Sequence, residues 1–133
     1  MYDHVLVPIA SDGGARAERA LAVARRLAGG TGRLTALTVL EAIPSYVAVE
    51  LPEDVLPRSR ELAEANLRGL VGEGVESVVV TGHAARTINA YAETHGVDCI
   101  VVASHQPGLS DYVLGSTAAQ VVRHAHCSVH VVR

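Results

Sequence analysis

Residues 99–125 read CIVVASHQPGLSDYVLGSTAAQVVRHA. The first five are an unbroken apolar run, rich in β-branched side chains. Apolar residues return at Ala118, Val121, Val122 and Ala125, now at helical spacing. A strand that is apolar without alternation is a strand covered on both faces, which is the condition of a parallel sheet flanked by helices. The stretch therefore reads as strand, loop and helix, with Gly115-Ser116-Thr117 at the helix start.

The rest of the chain repeats that unit. Strands are expected at 4–10, 33–40, 76–82, 98–104 and 127–132. In the last of these, Val129 and Val131 take one side while Ser128, His130 and Val132 take the other, which suits an edge or interface strand. A first helix places Ala17, Ala20, Leu21, Ala24, Leu27 and Ala28 on one face, with Arg16, Arg19 and Arg26 mostly opposite, and GGTG at 29–32 stops it. A second is expected over about 57–72, burying Leu62, Ala63, Leu67, Leu70 and Val71. A third runs from Ala84 to His95, burying Ala84, Ile88, Tyr91 and Ala92. A fourth starts near Ser116 and buries Ala118, Val121, Val122 and Ala125. Alternating strands and helices specify a doubly wound parallel α/β sheet with right-handed crossovers. Residues 41–56, with Pro44 and Pro52, exceed the usual connection length and read as either a lid or a surface excursion.

A length of 133 residues fits one domain spanning 1–133, and 49% apolar residues supply a core. That core is Val, Leu, Ala and Ile, since the chain has no Phe or Trp and four Tyr. The net charge of −3 offers no basic field, and no aromatic platform is present, so nucleic acid is excluded as a partner class. No apolar run approaches the roughly 20 residues that cross a bilayer, and no leader pattern opens the sequence, so a soluble, cytoplasmic protein without membrane insertion is expected. Cys99 and Cys127 belong to no CxxC pair and read as buried thiols.

Ligands of open α/β sheets bind beyond the carboxyl ends of the strands, where strand order reverses. Two loops lie there, 8–15 (PIASDGGA) and 103–117. In the second, Gly115 offers close approach to backbone, Ser116 and Thr117 offer hydroxyls, and the helix start offers free amides and a positive dipole end. Such equipment holds a phosphate without a lysine. Taken alone, the same tripeptide is also an ordinary helix cap. Ser11 or Asp12 caps the first helix, or Asp12 reaches a ribose hydroxyl or a metal ion. The GHA turn at 82–84 is a third strand-to-helix turn at that end, and it is equally open to a structural or a functional reading. Of the seven histidines, only His105 lies in the candidate phosphate loop, and no HExxH, CxxC pair or carboxylate cluster makes a metal site of the others. A GxSxG elbow, a GxxxxGK[ST] loop and a GxGxxG fingerprint are all absent from the sequence.

With these loops placed, the chain resembles the universal stress protein family over nearly its whole length. The resemblance rests on HVLVPIA at 4–10, LTVL at 37–40, GHA at 82–84 and the closing VVASHQPGLSDYVLGSTAAQVVRHAHCSVHVVR from 101. It implies a flavodoxin/Rossmann-like three-layer sandwich with strand order 3-2-1-4-5, and a homodimer made through 127–132. It also implies an ATP site, with ADP, AMP and Mg2+ as further candidates. There the adenine lies by Pro8, Ile9 and Val39, with Val102 beside them, and the phosphates by Ala103, Ser104, His105, Gly115, Ser116 and Thr117, with Asp12 on the ribose or metal. Ala103 and Gln106 stand where the nucleotide-binding branch has its leading glycines, and Ala10 where it has Asp. The function expected is a dimeric regulatory module that binds nucleotide, contacts an unidentified protein partner and has no rapid catalysis. The alternatives are slow ATP hydrolysis or self-phosphorylation at Ser104, Ser116 or Thr117, and a nucleotide-free interaction protein.

Overall fold

The computed structural model describes residues 1–11, 15–104 and 115–133. Ten elements follow one another: β1 (His4–Pro8), α1 (Ala15–Ala28), β2 (Arg33–Leu40), α2 (Ser45–Ala48), α3 (Val55–Val71), β3 (Glu76–Thr81), α4 (Ala84–Thr94), β4 (Cys99–Ala103), α5 (Ser116–His124) and β5 (Ser128–Val132). The five strands form one parallel sheet in the order β3-β2-β1-β4-β5. The chain moves outward from β1 to β3, then returns to the other side of β1 to lay down β4 and β5. The reversal therefore falls between β1 and β4.

Right-handed crossovers turn that path into layers. α1 and α3 pack on one face of the sheet, where Ala20, Leu21, Ala24, Ala63, Leu67 and Val71 meet Val5, Val7 and Val101. α4 and α5 pack on the other, where Ala85, Ile88, Ala118 and Val121 meet Leu6, Leu37 and Ile100. Leu6, Leu37 and Ile100 have no solvent exposure at all, and each such side chain contributes about 1.5–3 kcal/mol through burial. The alanine-rich inner faces of the helices let them sit close to a sheet of branched side chains.

The described part of β5 follows the expected alternation. Val129 and Val131 pack toward α4 and α5, and Val132 toward α1 and α3. Cys99 belongs to the α1/α3 side of the core and Cys127 to the opposite side, so the sheet separates the two thiols. Burial pushes the Cys99 thiol up to about 11 and raises that of Cys127 as well.

Two apolar residues expected in the core are in solvent. Leu62 is 63% exposed and Val122 is 43% exposed. The buried stripe of α3 is Ala63, Leu67 and Val71, at strict four-residue spacing, and Leu62 lies about 100° round the helix from it. Val122 stands in the same relation to Val121 on α5. Ala84, Leu70, Tyr91 and Ala125, also expected inside, are half-buried. Residues 41–56 hold a short helix, α2, that buries none of its residues. No described helix is long and apolar enough to cross a membrane.

Candidate functional site

The carboxyl ends of β1, β2 and β4 are held at fixed positions by backbone bonds. The Ile9 N–H donates to the Leu37 carbonyl at 2.8 Å, and the Thr38 hydroxyl donates to the Ile9 carbonyl at 3.0 Å. Gly82 N–H donates to the Leu40 carbonyl at 2.9 Å, and Ser104 N–H to the Val132 carbonyl at 2.9 Å. Between these ends, at the reversal of strand order, lies a cavity of about 700 Å³. That is within the range of pockets that enclose small molecules, roughly 300–1,000 Å³.

Nine of the eleven residues picked from the sequence line this one cavity: Pro8, Ile9, Val39, Val102, Ala103, Ser104, Gly115, Ser116 and Thr117. Asp12 and His105 fall outside the described residues, as does Gln106. Its lining includes the apolar residues Pro8, Ile9, Leu37, Val39 and Val102 and the start of α5.

The α5 start has a particular hydrogen-bonding state. Its cap residue is Gly115, and no side chain caps the helix. The first bond of the helix runs from Ala119 N–H to the Gly115 carbonyl at 2.8 Å. The amides of Ser116, Thr117 and Ala118 therefore precede the ladder, at the positive end of the dipole. Gly115 stands at the cap position, as the cap reading of Gly-Ser-Thr has it, and brings no side-chain bond to the helix start.

Gly115 plays a different part from the one its sequence context suggests. Its own N–H donates to the Ser104 carbonyl, so the two described residues that flank 105–114 are bonded to each other. A Cβ built on Gly115 would stand 3.1 Å from that carbonyl oxygen. Its φ of −57° is open to any residue. Glycine relieves a close approach of two backbones there and is not needed for conformation.

Arg16 and Glu41 also line the cavity, and they are its only charged residues among those described. Sequence reading set Arg16 on the solvent face of α1. It is exposed there, and it also borders the cavity. Ala84 and Ile88 bring the turn at 82–84 into the same lining. Of the segment 41–56, Glu41 alone reaches the cavity among the described residues, so the segment stands here as a surface excursion. No group of three or more potential metal ligands occurs among the described residues. His124, His126 and His130 are exposed, and His126 faces Glu93 at 3.4 Å.

At the opposite end of the strands is a polar cluster that sequence reading missed. His4 is 4% exposed and Thr35 fully buried. The His4 Nδ1–H donates to the His95 carbonyl at 3.2 Å, Nε2 lies 2.8 Å from the Thr35 hydroxyl, and that hydroxyl donates to the Glu76 carboxylate at 3.4 Å. Asp98 accepts from the N–H groups of Asp3 and His4, both at 2.9 Å. Burial pushes the Asp98 carboxyl up, but those backbone donors outweigh it and hold the group below the usual aspartate value.

The sequence profile described as the universal stress protein family matches residues 1–133. Universal stress protein G of Shigella flexneri is 30% identical over 142 aligned residues, covering all of both chains. Among solved structures, universal stress protein UspA from Lactobacillus plantarum is 26% identical with a TM-score of 0.69, over 99% of this chain and 98% of that one. A universal stress protein solved in complex with cAMP is 24% identical with a TM-score of 0.61, over 99% and 97%.

Proposed function

The chain belongs to the universal stress protein family, and on that premise we propose that it is a single-domain, cytoplasmic regulatory module that binds an adenine nucleotide, ATP foremost, without rapid turnover. The observation that carries this reading is the cavity at the strand reversal, lined by apolar side chains and by the residues whose three amides precede the α5 ladder. An adenine ring suits Pro8, Ile9, Val39 and Val102. A phosphate chain suits the amides of Ser116, Thr117 and Ala118 together with the two hydroxyls, with Ala103 and Ser104 alongside. Arg16, at the start of α1, adds a guanidinium to the cavity lining. Asp12 on the ribose or Mg2+, and His105 on the phosphates, complete the proposal. The cAMP-bound neighbour shares the fold at 24% identity, and its ligand is its own. The reading for this chain rests on its own cavity.

Rapid phosphoryl transfer needs a positioned base or water and charge neutralisation along the transferring phosphate. The described lining supplies one guanidinium, one carboxylate and hydroxyls, so binding is the activity proposed. The proposal includes a homodimer, supported by β5, which lies at the sheet edge and among the described strands pairs with β4 alone. Antiparallel pairing of two such strands over 127–132 covers an exposed ladder, and the output of the module is contact with a protein partner.

Equilibrium dialysis and thermal unfolding with ATP, ADP and AMP test the binding. A saturable rise in melting temperature within millimolar ATP is expected. No shift and no retained nucleotide at that concentration sinks the proposal and leaves the nucleotide-free interaction protein. Labelled phosphate transferred to protein, and lost in Ser116→Ala, would instead establish self-phosphorylation.

A further inference from the structure

We propose that residues 43–62 form a docking surface for a basic protein segment that presents apolar anchors. Among the described residues, eight large apolar side chains are exposed, and six of them lie in this stretch: Ile43, Tyr46, Val49, Val55, Leu56 and Leu62. The other two are Met1 and Val122, far from it in sequence. Tyr46 is 76% and Val49 84% exposed, and α2 buries nothing. Val55 and Leu62 are seven residues apart, two turns along α3, so they share a face distinct from the buried stripe of Ala63, Leu67 and Val71. In a chain with no Phe or Trp, an aromatic and five aliphatic side chains held out of the core in one stretch are concentrated well beyond ordinary scatter.

The charge of the stretch decides the occupant. It holds four carboxylates, Glu50, Glu53, Asp54 and Glu61, against two guanidiniums. Both guanidiniums are engaged within the protein. Arg58 pairs with Asp54 at 3.3 Å, and Arg60 pairs with Glu64 at 3.1 Å while donating to the Val79 carbonyl at 2.8 Å. Glu50, Glu53 and Glu61 have no ion-pair partner among the described residues. Nucleic acid and anionic lipid carry the wrong sign for such a surface, and a second copy would bring like charges together. A cationic segment with Leu- or Phe-type anchors meets both the apolar and the acidic features, with Tyr46 as the aromatic contact that most often dominates such interfaces. Except for the neighbouring Glu41, the stretch is separate from the cavity lining, so the inference stands whether or not nucleotide binds.

The test uses the full chain and a fluorescein-labelled helical peptide with Leu at i, i+3, i+4 and i+7 spacing and Lys elsewhere. Saturable binding by anisotropy is expected, with no binding of the same peptide carrying Glu for Lys. A Tyr46→Ser/Val49→Ser/Leu62→Ser variant and a Glu50→Lys/Glu53→Lys variant should each weaken binding at least about tenfold while keeping the wild-type melting temperature, because every replaced side chain is exposed. A photoreactive version of the peptide should crosslink within 43–62. Absence of saturable binding, equal binding by both variants, or crosslinks confined elsewhere overturns the proposal. Self-association of the wild type that the triple serine variant abolishes would make the surface a self-interface and overturn it equally.

Discussion

The two ends of the sheet treat their polar groups in opposite ways. At the amino ends of the strands, His4, Thr35, Asp98 and the His95 carbonyl bond one another, Glu76 and backbone. At the carboxyl ends the amides of Ser116, Thr117 and Ala118 and the two hydroxyls border a cavity of about 700 Å³. The first arrangement spends hydrogen bonds on stability, while the second keeps them available. Mutations at the two ends should therefore separate cleanly into losses of stability and losses of binding.

The largest effect is expected at the closed end, in Gly32→Ala. A Cβ there would stand 2.5 Å from the Tyr2 carbonyl oxygen and 2.6 Å from that of Ala28, both backbone atoms that cannot swing aside. Overpacking of this kind costs on the order of 3 kcal/mol, read from urea unfolding. His4→Ala comes next. It takes from the buried Thr35 hydroxyl the closer of its two partners, Glu76 remaining, and from the His95 carbonyl the His4 donor, at about 2 kcal/mol, and ATP affinity should stay unchanged. A fall in affinity with that variant would show that the two ends are coupled.

Ser116→Ala/Thr117→Ala probes the open end. Neither hydroxyl caps α5, so the melting temperature should hold while ATP affinity drops about fivefold, or roughly 1 kcal/mol. Stability lost with affinity intact would assign these hydroxyls to the fold instead. The smallest effect concerns Asp98 and is read as a function of pH. Its folded value is depressed, so its contribution is present above the ordinary aspartate value of about 4 and is lost as pH falls through the folded value. Asp98→Asn should be less stable than wild type at pH 7, and the two stability curves should converge in acid. Parallel curves would remove Asp98 from the account.

Much of the architecture was readable because its causes are local. Runs such as HVLVP and CIVVA announce doubly covered strands, and the observed strands end within two residues of the expected ones. Leu62 and Val122 show the limit of that reading. An apolar side chain adjacent to a buried stripe looks like part of it, and only the packed sheet fixes how wide the stripe is. The α5 start was picked out from Gly-Ser-Thr, but sequence could not separate a cap from an open helix end. The absence of a side-chain cap is a geometric fact. Arg16 stands exposed, opposite the core face of α1 as expected, but helical periodicity is silent about what borders a helix end, and Arg16 also lines the cavity.

Sequence by itself thus determined the alternation of strand and helix, the parallel sheet, the two loops at its carboxyl ends and the family. All of these follow from side-chain periodicity and from residues a few positions apart. Tertiary structure alone decided that the Ser104 carbonyl passes close beside Gly115, that His4 meets Thr35 across 31 residues, and that Cys99 and Cys127 lie on opposite sides of the sheet. These depend on which distant segments the crossovers bring together, and one-dimensional order does not contain that distance.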